Sequence, residues 1–303
     1  MSLSGETAAS TAFETFLQEP GRSVSTKKKF RYKFKGFLKR YGKRPLAEID
    51  TVTLEEWFDY MERRLGYSQG HLAFHRNCHK AFWKYCSQFT GSNVAANLKH
   101  YEEAPPVVIT ADKGDVELCL RACENMWETL PDQRDAAVFA LGAAGLRRSN
   151  VHLISLRATR LALKTPVGDD MYLFTTDGKR PMEVILNGRL AKIINRYISN
   201  RPKTPHDRLF VNLNSDDSDY LNPLSVEGLQ RARRRVCKRA DVPLISFQKM
   251  RRLMGSTVAR KYGLEIAASV LGHTSGTEVV RKHYYDPDKE AARRAAFDVL
   301  KDL

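Results

Sequence analysis

The chain has 303 residues, 42% of them hydrophobic, which is enough for two domains with separate cores. Its 50 Lys+Arg stand against 35 Asp+Glu, a formal net charge of +15, and such an excess favours a polyanionic partner, nucleic acid above all. No apolar run nears the roughly 18 residues of a membrane span. Met1 to Gln18 lacks the basic and apolar regions of a signal peptide. Five cysteines without a CxxC pair (Cys78, Cys86, Cys119, Cys123 and Cys237) read as reduced thiols in a cytoplasmic protein, with no zinc site.

Residues 1–22 are expected to form a flexible arm. A helix then starts near Thr26, with Phe30, Phe34, Phe37, Leu38 and Tyr41 on one face. Lys27, Lys28, Lys29, Arg31, Lys33, Lys35, Lys39 and Arg40 fill its other faces with no acid among them. A merely solvated face mixes signs, so this one reads as a face that tracks phosphates. Gly42 and Pro45 end the helix. A second helix is expected from Thr53, as its cap, to about Leu65, and a third from about Gln69 to Phe89. His71, His75 and His79 recur every four residues along the third. With no carboxylate beside them they read as surface or phosphate-facing side chains, not as metal ligands. Ala104-Pro-Pro-Val marks an extended linker, so residues 23–104 form a small helical unit with a basic face.

The remainder, 109–303, begins with helices over Asp115–Trp127 and Asp132–Ala144, the second apolar enough to be buried. Gly145 suits a left-handed helix end and Ser149 the cap of the next short helix, which leaves Arg147 and Arg148 on the intervening turn. Met171-Tyr-Leu-Phe-Thr-Thr and Met182-Glu-Val-Ile-Leu alternate about Asp177-Gly178, the pattern of a β-hairpin, with Lys179 just past its turn. A helix over about Gly188–Arg201 and an extended piece at Leu209-Phe-Val-Asn follow. Arg231, Arg233, Arg234, Arg235, Lys238 and Arg239 form a second basic cluster on a helix that starts at Ser225. The last sixty residues bring Ser246-Phe-Gln-Lys-Met-Arg-Arg, then Leu271-Gly-His, then Lys282-His-Tyr-Tyr. Guanidiniums, a Gly-His turn and phenols in a basic protein suit one chemistry: a phosphodiester is held while a tyrosine oxygen attacks it.

Four of these motifs, in this order over about residues 25–290, resemble the tyrosine recombinase (phage integrase) family. Ala144-Gly-Leu-Arg-Arg-Ser-Asn-Val-His-Leu-Ile is similar to the family's first arginine motif, Thr176-Asp-Gly-Lys-Arg-Pro-Met-Glu-Val to its lysine hairpin, and Gln248-Lys-Met-Arg251-Arg to its His-x-x-Arg. The resemblance implies a mainly α fold with a small antiparallel β-sheet. A helical core-binding (SAM-like) domain would precede a catalytic domain that ends in a helix from about residue 288. It also implies roles. Arg147 and Arg251 hold the non-bridging oxygens. Gln248 and His273 hydrogen-bond the phosphate, and Lys179 protonates the leaving 5′ oxygen, with Lys164 as a weaker alternative. Tyr284 is the nucleophile, with Tyr285 as its alternative. A register that uses Lys249 and Arg252 is disfavoured because Met250 suits the buried position between them. Lys27, Lys28, Lys29, Arg31, Lys33, Lys35, Arg233 and Arg234 would contact DNA.

The implied protein is a site-specific recombinase or integrase of a mobile element. It works on double-stranded DNA as a homotetramer through a 3′-phosphotyrosyl intermediate, without metal or cofactor, in the cytoplasm at the nucleoid. Any accessory proteins are unspecified. The sequence departs from the family pattern at Asn150 (usually acidic), at Gln248 (usually His), at Thr176 (often the lysine) and in a His273-to-Tyr284 spacing two residues longer than the common one. A DNA-binding protein of the same fold with weak or no catalysis is the alternative.

Overall fold

The computed structural model describes residues 3–101, 108–167, 170–176, 183–213, 221–272 and 276–283. The expected hairpin turn with Lys179, and His273, Tyr284, Tyr285 and the tail from 288, lie outside the described residues. The chain divides into two compact units, 1–105 and 106–303.

The first unit is a helical bundle. Helix α1 spans Ala9–Gln18, which corrects the expectation of a flexible arm over 1–22. Ala9, Ala12, Phe13, Phe16 and Leu17 recur at helical spacing and are buried. The segment's many small residues mask that stripe, yet two buried phenylalanines contribute roughly 1.5–3 kcal/mol each. Backbone bonds tether its start: Ala9 N–H donates to the Arg44 carbonyl and Ser10 N–H to that of Gly42, each at 2.9 Å. Those donors would otherwise be orphans of the helix's first turn. Helix α2, Val24–Tyr41, is capped by Ser23, and α3, Thr51–Arg63, by Asp50 rather than Thr53. The Asp50 carboxylate accepts from both the N–H and the hydroxyl of Thr53, and these bonds hold its pKa below the ordinary range.

Helix α4, Gln69–Thr90, ends on Gly91 in the left-handed region. The core these helices share is aromatic. Phe13 and Phe34 lie 4.6 Å apart, and the His79 ring stacks on Phe34 at 4.3 Å. His75 and His79 are both buried, against the expectation of surface histidines; at every fourth position they share the apolar face of α4 with Leu72, Phe82 and Cys86.

The second unit is built around a helix that is buried on every side. Helix α5 spans Lys113–Asn125 and α6 spans Leu130–Ala143, capped by Thr129 with Pro131 in its first turn. Gln133 through Gly142 are all buried in α6. A short α7, Arg148–Leu153, and α8, Leu156–Lys164, lead to strands β1, Met171–Thr175, and β2, Glu183–Asn187. The strands pair antiparallel from Met171↔Asn187 to Thr175↔Glu183. Val184 and Leu186 face the core while Ile185 is exposed, the alternation of a one-sided sheet.

Helices α9, Gly188–Asn200, and α10, Val226–Arg239, pack against α6 with α5. Asp135 of α6 is buried with its carboxylate held by Arg134 and by Arg235 of α10. Around Leu209, where an extended piece is expected, the described residues form the isolated bridges Ser155↔Arg208 and Val211↔Pro223. Helix α11, Phe247–Tyr262, is capped by Ser246; α12, Leu264–Val270, and α13, Thr277–His283, close the described chain with a small apolar cluster. No helix among the described residues is long and apolar enough to cross a membrane.

Candidate active-site cleft and basic face

The cleft begins where α6 stops. Gly145 adopts φ +85°, a left-handed turn that an L side chain would strain. The turn sets Arg147, not Ser149, at the N-cap of α7, where its carbonyl accepts from Asn150 and Val151 N–H. One turn earlier, a Cβ on Gly142 would meet Met250 Cε at 2.5 Å and the Phe247 ring at 2.9 Å. Only glycine lets α11 lie this close to α6, and that closeness sets the depth of Arg251.

Arg251 is fully buried. Its Nη1 donates to the Gly145 carbonyl at 2.8 Å and its Nη2 to the Leu271 carbonyl. It therefore ties the turn before Arg147 to the turn at Leu271-Gly272. Arg252 points elsewhere, with Nη1 3.4 Å from the Ile109 carbonyl. Met250 is buried between Lys249 and Arg251, as the register on Arg251 requires.

Arg147, Arg148, Ser149, Gln230, Arg233, Ser246, Phe247 and Gln248 line an open cleft of about 460 Å³. Three of these side chains are guanidiniums and none is acidic, so the cleft suits an anion. Arg147 and Gln248, expected from sequence to share a site, both line this cleft; Arg251 does not line it and reaches the Gly145 carbonyl two residues before Arg147. Lys164 is exposed at the end of α8 and does not line the cleft.

Arg233 was grouped by sequence with an outward basic cluster. It is instead buried, because it shares the inward stripe of α10 with Leu229, Ala232 and Val236, whereas Arg231, Arg234 and Arg235 are exposed. Burial is the main cause that lowers its pKa, and the charges of Arg234 and Arg148 add to it. Two positions that depart from the family pattern meet here as well: Asn150 Nδ2 donates to the Thr176 hydroxyl at 3.2 Å, and Thr176 is buried.

On the first unit the basic face of α2 is smaller than its sequence. Lys28, Lys29 and Lys35 are exposed. Arg31 is paired with Glu14 of α1 at 2.7 Å, an acid that the reading of 1–22 as an arm left out of account. Lys27 donates to the Gln18 side chain at 3.1 Å. Lys33 is only 9% exposed and sits over the Phe74 ring at 4.6 Å, beside Lys29 at 3.7 Å. Burial pulls its pKa down, which marks it as a packed cation rather than a free one.

No protein-family model matches the sequence, and no curated protein does. Solved structures do. The Tn1549 transposon integrase in complex with a circular intermediate DNA aligns at a TM-score of 0.68 and 16% identity, over 97% of this chain and 99% of that one. A lambda integrase dimer bound to a COC′ core site aligns at 0.65 and 12%, over 93% and 97%. The XerH site-specific recombinase bound to palindromic difH substrate aligns at 0.65 and 17%, over 89% and 75%. At these identities the likeness is one of fold. The chain has the tyrosine recombinase fold, mainly α with a small antiparallel sheet.

Proposed function

We propose that this protein is a site-specific DNA recombinase or integrase that cuts and rejoins duplex DNA through a tyrosine. One observation carries the reading: an acid-free cleft brings Arg147 and Gln248 together, and the buried Arg251 bonds to the turn before Arg147. The solved structures of this fold named above are a transposon integrase, a phage integrase and a site-specific recombinase, all bound to DNA, which supports DNA as the partner.

The chemistry follows from the residue types. The Tyr284 phenol, with Tyr285 as the alternative, has an ordinary pKa of about 10 and is a weak nucleophile until cations surround it. Its oxygen forms the new P–O bond as the P–O5′ bond breaks. The phenol proton passes to solvent, and Lys179 gives a proton to the departing 5′ oxygen and regains one from solvent. The planar fork of Arg147 stabilises charge on the non-bridging oxygens. Gln248 donates one hydrogen bond to the phosphate and cannot shuttle a proton. Arg251 holds the site's turns together and His273 orients the phosphate. The ester bond is conserved, so attack by another 5′-hydroxyl rejoins the strand with no external energy source. Paired sites would need four copies of the chain, and DNA association would place the protein at the nucleoid. Lys28, Lys29, Lys35 and Arg234 would track the phosphate backbone.

A second reading has a specific basis. Gln248 in place of histidine and Asn150 in place of an acid fit a DNA-binding protein that retains the fold and has lost efficient cleavage. A nicked suicide duplex carrying the cognate site separates the two. A covalent protein–DNA adduct that disappears in Tyr284→Phe supports strand transfer. Tight binding without any adduct supports the second reading.

A further inference from the structure

Arg233 has no role in the chemistry above, yet its setting is unusual. The guanidinium is 5% exposed and lines the cleft. Its Nη1 donates to the Ile245 carbonyl, and the Phe247 ring lies 5.9 Å from its Cζ. Its buried Nε has no hydrogen-bond partner. The buried carboxylate of α6, Asp135, is taken by Arg134 and Arg235. Among the described residues no carboxylate pairs with Arg233. Arg148 lines the same cleft.

A desolvated cation with an unsatisfied N–H costs free energy unless an anion completes it. Here the protein supplies a second cation instead of an anion. Gln230, Ser149 and Ser246 add neutral donors around the same space.

We infer that Arg233 and Arg148 form a phosphate-binding subsite of the cleft, and that a backbone phosphate of a nucleic-acid strand is the ligand that pairs with the Arg233 guanidinium. The inference rests on the strand-transfer reading of the cleft for the source of that phosphate. It does not rest on it for the subsite itself. Arg233 becomes a binding residue that aligns the strand beside the phosphate held by Arg147 and Gln248. The arginine run of α10 then has two functions, one inward at Arg233 and one outward at Arg231 and Arg234.

The test uses the full chain and inorganic phosphate at constant ionic strength. Phosphate raises the wild-type melting temperature by about 2–4 °C if it binds the folded state at a concentration roughly tenfold over its Kd. Arg148→Gln and Arg233→Lys lose at least half of that rise, and Lys192→Gln, exposed on α9 and outside the cleft, keeps it. No rise in the wild type, or an undiminished rise in both cleft variants, overturns the subsite. If Arg233→Lys fails to fold by circular dichroism, Arg148→Gln, an exposed position, decides alone.

A second arm titrates a short duplex oligonucleotide. Both cleft variants should bind it several-fold more weakly than Lys192→Gln does. A lost phosphate response with unchanged duplex binding assigns the subsite to free phosphate and overturns the strand. The suicide-duplex assay stays separate: no adduct with both arms intact sinks strand transfer and leaves the subsite standing. An adduct formed with neither arm responding sinks the subsite alone.

Discussion

Asn150 Nδ2 donates to the Thr176 hydroxyl across 3.2 Å, and this single bond joins the start of α7 to the residue that follows β1. The two positions are those where the sequence departs from an acidic residue and from a hairpin lysine. They depart as a pair, an amide donor meeting a buried hydroxyl. The bond fixes the end of β1 three residues from Arg147. Asn150→Ala should lower the unfolding free energy by about 1 kcal/mol. It should also speed amide hydrogen exchange in Met171–Thr175 and Glu183–Asn187 while leaving α6 protected. Unchanged exchange in the two strands would show that the pair does not anchor the sheet.

Arg251 is predicted to be a structural tie as much as a functional cation. Its two donors reach the carbonyls of Gly145 and Leu271, which no single ammonium can span in that geometry. Arg251→Lys should therefore destabilise the chain by about 2–4 kcal/mol, as expected for two lost charge-assisted bonds in the interior. Urea unfolding measures the loss, and the suicide-duplex adduct should vanish with it. A variant of wild-type stability that still lacks the adduct would leave Arg251 a purely catalytic group.

Much of this fold was legible from periodicity. The buried face of α2, the extent of α4 and the start of α10 at Ser225 lie where the pattern puts them. The motifs at Gly145 and in the first turns of α11 are short and sit at element ends, where turn chemistry leaves a strong trace. What could not be read was direction. A run such as Arg231-Ala-Arg-Arg-Arg looks uniformly basic, and only packing against Ile245 and Phe247 shows that Arg233 turns inward. The same limit hid Glu14. The stripe of α1 is masked by small residues, and nothing local says that its Glu14 pairs with Arg31.

The pairing of Arg31 divides the basic face of α2 into effective and neutralised charge. Lys28→Gln and Lys35→Gln should each weaken binding to duplex DNA and flatten the slope of log K against log salt by about 0.9, the value for one lost phosphate contact. Arg31→Gln should change the slope much less, because Glu14 already offsets its charge. Lys33→Gln should act mainly on stability, through the lost stack on Phe74. Filter binding or fluorescence anisotropy at several salt concentrations reads all four. Equal slopes for Arg31→Gln and Lys28→Gln would mean that Arg31 leaves Glu14 to meet the DNA.

The first unit should be sensitive to acid, and the sign follows from its two buried histidines. Burial is the largest cause that lowers His75 to about 4 and His79 to about 3. Lys33 and His71 push His75 further in the same direction, and His75 does so for His79. Folded, both rings stay neutral; unfolded, both take up protons near the ordinary value of about 6.5. The unfolded state thus binds more protons below that pH. Stability is lost as pH falls from about 6.5 toward about 4, with a slope of up to about 1.4 kcal/mol per pH unit for each ring. His79 makes no hydrogen bond through either ring nitrogen and stacks on Phe34, so an apolar side chain can replace it. His79→Leu should remove about half of the acid-induced loss. Trp57 and Trp83, both buried in this unit, report its unfolding by fluorescence in urea at pH 7 and pH 5. The same drop in midpoint for His79→Leu as for the wild type would mean that the ring is already protonated in the folded unit.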